Sequence, residues 1–403
     1  MCLVTDNFEC NKNIGELKMK IVFVSSLKIT DVGGVLSHMK SLGEGLEKLG
    51  HTVDYITASS IPRPILVFGL YTPLIILKKF KTIKVIYQEI SLIFMFLNIV
   101  ILKQIFNRYD LICMTDYTVF IPNLVIKKIY KIPLISFIHS YMSHSIEIVG
   151  MQRDSLAGRF LIKEQQILLK HADLLIPVDS RIENNLISEW KINPDKIEKM
   201  INFVDIEEFK PRKSKQLFGL PNKKIVLCPR RVNDPKNGVI YAVKSMKYLN
   251  DDVLLVITGN KGEVVDNIKE TMKKDGLEHR ILFLPFIPHE NMKYLYNEVE
   301  IVIIPSINYM GLEEATSISA LEGMASGNIV IASNIGGLKE IIHDGMTGFL
   351  VPEKNPHKIA EIITQSLQSD TSEIVRNARK FVVKYCSNVK RAEELLNVCA
   401  KIK

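Results

Sequence analysis

Apolar and polar positions along the chain repeat one pattern twice, in which short apolar runs alternate with segments of helical spacing. Between the first two runs, Val35, Met39, Leu42 and Leu46 recur on one face of a predicted helix. Strands alternating with such helices predict a parallel sheet covered on both faces. The predicted strands of the first half are residues 20–26, 51–57, 110–114, 133–138 and 172–178.

The second half restarts this alternation at residue 224, and 403 residues exceed what one core usually supports. We therefore predict an α/β protein of two Rossmann-like domains, residues 1–204 and 205–385, facing across a cleft. Residues 202–205 are the predicted hinge, and residues 1–18 a disordered extension. Residues 360–399 are predicted to be helical, and the helix within 386–403 to pack back on the first domain. The predicted strands of this half are residues 224–228, 253–258, 281–284, 300–304 and 329–332.

Composition is that of a globular protein, with 47% hydrophobic and 24% charged residues. The six cysteines are scattered without a CxxC pair or zinc-like spacing, which indicates reduced thiols and a cytoplasmic location. Residues 1–18 have no apolar core, so we expect neither a signal peptide nor a membrane anchor there.

Residues 61–132 hold nearly all of the excess positive charge, with ten Lys or Arg against three acids, 10 − 3 = +7 of the total +8. Its apolar runs are shorter than the ~20 residues of a membrane span. Buried helices with lysines at their solvated ends are the favoured interpretation. Peripheral contact with the cytoplasmic face of an anionic membrane is the alternative.

Two carboxylates stand eight positions apart, Glu314 before a predicted helix and Glu322 on its second turn. Ser317 or Thr316 is predicted to cap this helix, which begins near Ile318. Its first backbone N–H groups are unpaired within the helix and carry partial positive charge. The carboxylates therefore flank an anion seat that suits a diphosphate with sugar hydroxyls at either end.

The residues that follow make this pattern specific. Residues 325–327 read Ala-Ser-Gly, 329–332 form an apolar strand, and 336–340 read Gly-Gly-Leu-Lys-Glu. The Glu pair by itself is a weak signal, but with these ordered companions it resembles the signature of the retaining family 4 (group 1) glycosyltransferases. The resemblance extends from Met19 to the C-terminal helix and implies the GT-B fold.

A basic loop at residues 229–238 places Arg231 and Lys236 five positions apart between a strand and a helix. Two cations at the carboxyl end of a strand can hold a diphosphate and neutralise a leaving group. The loop resembles the Arg-x4-Lys donor-phosphate loop of the family. Arg230 could take the place assigned to Arg231, since Pro229-Arg230 stands where Gly-Arg is frequent.

Other candidate site residues lie where predicted strands end. His139 follows the strand 133–138 and, in the resemblance, matches the histidine beside the donor sugar. Gly33 and Gly34 stand where bare backbone can approach a phosphate, although a tight connecting turn is an equal interpretation. The residues assigned to donor binding are Gly33, Gly34, Gly259, Thr316, Ser317, Ile318, Ser319 and Glu322.

The resemblance implies transfer of a sugar from a nucleotide-diphosphate sugar, of UDP or GDP type, to an acceptor hydroxyl with retention of configuration. The acceptor would be a glycan, a lipid-linked sugar or a small molecule. Glu314 would hold donor-sugar hydroxyls and Glu322 the ribose hydroxyls. The resemblance implies no metal ion or other cofactor, since Arg231, Lys236 and the helix N-terminus would carry the leaving charge.

Two departures from the family pattern affect this interpretation. Phe203 replaces the hinge glycine, and Thr316-Ser317 replaces a Phe-Gly pair, which is expected to change the hydroxyls that the loop recognises. A sugar-nucleotide 2-epimerase of the same fold and a non-catalytic partner subunit are the rival functions. Nucleic-acid binding is not expected, because Trp190 is the single Trp and the basic residues interleave with aliphatic ones.

Overall fold

A computed structural model describes residues 18–28, 34–66, 69, 72–79, 81–115, 119–140, 152, 154–213, 216–258 and 263–402. Gly33, Gly259 and the predicted extension before residue 18 lie outside these residues. Within them the chain forms two parallel sheets, each built from buried apolar runs.

The first sheet has five strands in the order β2-β1-β3-β4-β5. Strand β1, next to the edge strand, pairs with β2 and β3 in parallel, so that Val24 lies beside Ile56 on one side and Met114 on the other. All five predicted strands of this half are present. They are β1 (Lys20–Val24), β2 (Thr52–Ile56), β3 (Leu111–Met114), β4 (Leu134–Ile138) and β5 (Leu174–Pro177).

The second sheet has six parallel strands in the order β11-β10-β9-β6-β7-β8. Its edge strand β11 was not predicted, because a three-residue run carries no periodicity that sequence reading can detect. The strands are β6 (Lys224–Cys228), β7 (Val253–Thr258), β8 (Ile281–Leu284), β9 (Ile301–Ile304), β10 (Ile329–Ser333) and β11 (Phe349–Val351).

The α-helices pack on both faces of the sheets. Those associated with the first sheet are α1 (Gly34–Lys48), α2 (Arg63–Leu66), α3 (Thr72–Ile76), α4 (Lys81–Asn107), α5 (Phe120–Tyr130), α6 (Leu156–His171) and α7 (Ser180–Ser188). Those that follow are α8 (Val239–Ser245), α9 (Glu263–Lys274), α10 (His289–Tyr296), α11 (Ile318–Ser326), α12 (Leu338–Ile341), α13 (Pro356–Gln368), α14 (Ser372–Tyr385) and α15 (Asn388–Cys399).

The predicted helical stretch at residues 360–399 is divided into three helices. Asn355 begins the first by accepting a hydrogen bond from the Lys358 amide, and Ser387 begins the last by accepting from the Lys390 amide. Such N-caps set helix boundaries that apolar periodicity does not reveal. Helix α15 packs against α1, and its Leu395 joins the core of the first sheet.

Two segments cross side by side between the halves. The Val204 amide donates to the Cys386 carbonyl at 2.9 Å, and the Asn388 amide donates to the Val204 carbonyl at 3.1 Å. Asp205 accepts from Lys48 at 2.6 Å. Phe203 is buried, with its ring 4.5 Å from that of His38. The predicted hinge therefore forms a packed, hydrogen-bonded double crossing.

Helix α4 runs unbroken for 27 residues through the basic, apolar region. Polar residues that were expected to interrupt the apolar runs lie within the helix. Its stretch Ile86–Asn107 is long and apolar enough to cross a membrane by length and composition. Phe96 and Val100 are nevertheless buried in the core of the first half.

Candidate active site

An ion-pair cluster around a buried carboxylate joins the basic loop to the first motif residue, Glu314. The Arg230 guanidinium donates to Glu314 Oε2 at 2.7 Å, and Lys236 Nζ lies 3.2 Å from the same oxygen. Burial alone would raise the pKa of the Glu314 carboxyl, but the two cations outweigh it and hold the pKa at about 2. The cluster is thus ionised at neutral pH and carries one net positive charge.

The loop's own contacts bring these cations together. Asp234 accepts from the Lys236 amide at 3.0 Å and begins a single 3₁₀ turn. Asn237 accepts from Arg230 at 2.5 Å. Gly238 ends the turn at φ +62°, where a Cβ would lie 1.9 Å from the Pro305 carbonyl oxygen, so a side chain cannot be accommodated.

Arg230, rather than Arg231, therefore belongs to the cluster. Arg231 is exposed, and its backbone carbonyl, not its guanidinium, takes part in the loop by accepting from Asn237 at 2.8 Å. The sequence left both arginines open, and the assignment to Arg231 does not match the geometry. Lys236 and Glu314 lie where the motif predicted.

Helix α11 begins at Ile318, as predicted, but neither candidate cap binds its amides. Ser317 occupies the N-cap position without a side-chain capping bond, and its hydroxyl accepts from Arg230 at 3.4 Å. Thr316 instead donates its hydroxyl to the Val178 carbonyl at 2.9 Å. The N-terminal amides of α11 are thus left without a side-chain cap beside the cationic cluster.

The N-terminal end of α1 lies opposite this helix end. A Cβ on Gly34 would lie 3.8 Å from the Ile318 side chain. The structure thus brings Gly34 to the helix that the motif placed at the anion seat. Ser319, one residue further on, accepts from the Tyr296 hydroxyl through its carbonyl at 3.3 Å.

The second motif carboxylate, Glu322, is buried and held by two side chains that sequence reasoning missed. The Tyr296 hydroxyl donates to Glu322 at 2.8 Å, and His289 Nε2 lies 2.5 Å from its other oxygen. Burial lowers the pKa of His289, but the Glu322 carboxylate outweighs it and raises the pKa above the usual value. The only sequence signal for this pair was their place on the helix predicted at 289–297.

His139 lies at the end of β4, with its ring 4.8 Å from that of His38, which sequence reasoning also missed. His38 Nδ1 bonds Asn202 Oδ1 at 3.0 Å, and Asn202 Nδ2 donates to the Thr316 carbonyl at 2.5 Å. Burial lowers the pKa of His38 to about 4 and that of His139 well below its usual value. A neutral histidine pair is thus linked through Asn202 to the α11 loop.

Three buried nitrogens near these groups have no hydrogen-bond partner among the described residues. They are Arg230 Nε, His38 Nε2 and His139 Nε2. Buried polar atoms are normally hydrogen-bonded, so such a concentration is typical of a ligand site.

The turn at Gly336 and Gly337 packs directly on the Glu314 loop. The Gly337 amide donates to the Glu314 carbonyl at 2.9 Å, and a Cβ on Gly336 would lie 2.0 Å from that oxygen. Glu340, the last residue of the motif, accepts from the Ser180 amide at 2.8 Å in the other half of the chain. Gly336 and Gly337 thus position the Glu314 loop. Glu340 contacts the other half of the chain across the cleft.

Comparison with known proteins agrees with this arrangement. The model of the family described as Glycosyltransferase Family 4 matches residues 32–208, and that of Glycosyl transferases group 1 matches residues 209–381. The chain belongs to the family 4 (group 1) glycosyltransferases. An uncharacterized glycosyltransferase of Methanocaldococcus jannaschii is 27% identical to this glycosyltransferase over 91% of the chain and 94% of its own length.

A D-inositol 3-phosphate glycosyltransferase of Corynebacterium diphtheriae is 27% identical to it over 61% of the chain and 60% of its own length. Among solved structures, sucrose-phosphate synthase from Thermosynechococcus elongatus matches with TM-score 0.74 and 18% identity, over 95% of this chain and 99% of its own. HepE of Anabaena, in complex with UDP-glucose, matches with TM-score 0.71 and 17% identity, over 95% and 100%. The predicted GT-B fold of this glycosyltransferase is confirmed.

The neutral state of His38 predicts a pH-dependent stability. Because its pKa falls from 6.5 in the unfolded chain to about 4 when folded, its contribution is complete above pH 6.5 and is lost as pH falls toward 4. We expect the wild-type free energy of unfolding to fall by about 2 kcal/mol more than that of His38→Gln between pH 7.5 and 5. Urea unfolding at both pH values measures this, with exposed His279→Gln as control. Parallel wild-type and His38→Gln curves would contradict it.

Proposed function

We propose that this glycosyltransferase moves a sugar from a nucleoside-diphosphate sugar to an acceptor hydroxyl, with retention of anomeric configuration and without a metal ion. The observation that carries the proposal is the convergence of Arg230 and Lys236 on Glu314 beside the uncapped start of α11. Two cations and a helix N-terminus are suited to a departing diphosphate.

In the proposed reaction, the bond between the anomeric carbon and the diphosphate oxygen breaks while the acceptor oxygen bonds to the same face of that carbon. The acceptor proton passes to the departing phosphate oxygen, and the nucleoside diphosphate leaves. Arg230 and Lys236 stabilise the charge that develops on the leaving group, which is where fixed charges accelerate a reaction most. Retention itself rests on the family resemblance.

The remaining roles follow the positions of the side chains. Glu314 keeps the cations oriented and binds donor-sugar hydroxyls, and His139 lies beside the same sugar. Glu322 binds the ribose hydroxyls, and its bonds to Tyr296 and His289 orient it for this. The nitrogens of His38, His139 and Arg230 that have no partner among the described residues support a polar ligand between these groups.

The donor is proposed to be a UDP-sugar first and a GDP-sugar second, because HepE shares the fold and was solved with UDP-glucose. The acceptor class includes sugars, lipid-linked sugars and small polyols. Phosphorylated inositol deserves an early trial as an acceptor, since the D-inositol 3-phosphate enzymes are relatives by sequence. We place the reaction in the cytoplasm.

The test is a panel of UDP-, GDP- and ADP-sugars, scored by thermal shift and then by nucleotide release with and without acceptors. We expect one donor class to raise Tm, and acceptor to accelerate nucleotide release from it, with activity unchanged by EDTA. Rapid epimerisation of the donor alone would support the 2-epimerase instead. Donor binding without turnover on any acceptor would favour the partner-subunit role. Loss of activity in EDTA that added Mg²⁺ restores would overturn the metal-independent mechanism.

A further inference from the structure

Helix α4 is mostly apolar, yet the described part of the chain buries only one side of it. Leu92, Phe96 and Val100 are buried in the core of the first half. Only 24% of the stretch Ile86–Asn107 is buried, although its mean hydropathy is 1.8. A helix that is hydrophobic on all sides is ordinarily enclosed by protein or lipid. Within the described residues, the outward side of α4 therefore lacks the protein cover that so apolar a helix normally has.

The outward side carries a band of exposed apolar side chains. Residues 83, 90, 94 and 105 fall within an arc of about 60° at 100° per residue, and residues 102 and 106 lie about 60° and about 100° beyond its edge. Their side chains are 41–80% exposed, with Phe106 at the upper end. Ile75 and Ile76 of the neighbouring α3 are 72% and 73% exposed. We call these eight residues the apolar face: Ile75, Ile76, Ile83, Ile90, Phe94, Leu102, Ile105 and Phe106.

Exposed basic residues lie on the elements next to α4. Arg63, Lys79, Arg108, Lys128 and Lys131 are exposed on the elements before, after and beside α4. Residues 61–132 as a whole carry ten basic residues and three acidic ones. Long basic side chains beside an apolar stripe complement a bilayer with anionic headgroups, at about 1 kcal/mol for each well-placed cation.

We infer that the apolar face docks this protein on an anionic lipid bilayer, with α4 lying in the headgroup region and the basic residues contacting lipid phosphates. Length alone would let α4 span a bilayer. Spanning would, however, remove Phe96 and Val100 from the core, where they are 0% and 1% exposed. The side of α4 that packs in the core therefore favours a helix that lies on the membrane.

A second copy of this chain is the competing occupant. A symmetric dimer through the apolar face would bring the same surface of each copy together. The net positive charge of residues 61–132 on one copy would then face the same net charge on the other. An anionic bilayer satisfies both the apolar and the charged features.

The test is co-sedimentation of the full chain with vesicles of phosphatidylcholine alone or with about 30% phosphatidylglycerol. We expect binding to the anionic vesicles that falls with added salt. Phe94→Ser/Phe106→Ser should weaken this binding about tenfold or more. Lys79→Glu/Arg108→Glu should remove most of its salt-sensitive part.

Matched variants in the second half of the chain control for the loss of apolar or basic side chains in general. Leu217 and Tyr248 are 59% and 55% exposed, and Leu217→Ser/Tyr248→Ser should leave vesicle binding unchanged. Exposed Lys269 and Lys274 provide the charge control through Lys269→Glu/Lys274→Glu. An unchanged Tm shows that each variant is folded.

Failure of the wild-type protein to bind anionic vesicles would overturn the inference. Equal effects of test and control variants would do so too. A concentration-dependent dimer in light scattering, dissociated by Phe94→Ser/Phe106→Ser, would assign the apolar face to a second copy instead. None of these measurements involves sugar transfer, so the outcome is independent of the proposed function.

Discussion

Arg230→Ala should reduce kcat by about 10²–10³-fold, the cost of removing one preorganised charge from a developing anion. Arg230 contacts Glu314, Asn237 and Ser317, so its guanidinium is held where the diphosphate would depart. Turnover with the donor class found by thermal shift measures the effect. KM for the donor should change much less than kcat, because the interaction strengthens as the bond breaks.

The adjacent arginine provides the matched control. Arg231 is exposed, and Arg231→Ala should keep kcat within about twofold of wild type, as expected for a surface substitution. Arg230→Lys should recover only part of the activity, since an ammonium cannot reproduce several bonds from one planar group. Equal losses from Arg230→Ala and Arg231→Ala, or a loss confined to Arg231→Ala, would refute the placement of the diphosphate.

Gly336→Ala should destabilise the protein by about 2–5 kcal/mol, combining a left-handed backbone with a steric overlap. Gly336 has φ +53°, and its added Cβ would lie 2.0 Å from the Glu314 carbonyl oxygen. Relief of the overlap must move the loop that holds Glu314. We therefore also expect the folded variant, assayed well below its Tm, to lose activity. Urea unfolding and turnover measure the two effects.

Gly345→Ala separates backbone strain from overlap. Gly345 has φ +70°, but nothing lies within 4 Å of its added Cβ. Its substitution should cost about 1–2 kcal/mol and leave kcat unchanged. If Gly336→Ala behaves like Gly345→Ala in both measurements, the turn does not position Glu314.

Strand alternation, the division into halves and the start of α11 at Ile318 could all be predicted from sequence. Each depends on a local pattern, such as the period of apolar residues along a strand or a helix. The motif residues Glu314, Glu322 and Lys236 were chosen as candidates for the same reason, since their order along the chain carries the signal. The three-residue strand β11 and the breaks within residues 360–399 were not predicted. A strand this short shows no period of apolar residues, and helix caps set boundaries that the apolar period does not reveal.

The partners of those residues were decided by tertiary structure alone. The sequence does not tell which of two adjacent loop arginines faces the site. Only the fold directs Arg230 toward Glu314 and leaves Arg231 in solvent. His289 reaches Glu322 across 33 positions, and His38 reaches Asn202 across 164. Sequence by itself thus determined the elements and the chemical groups available. Which of these groups come into contact depends on how the two sheets pack around a cleft. Contacts between residues far apart in the chain cannot be read from the spacing of neighbouring residues.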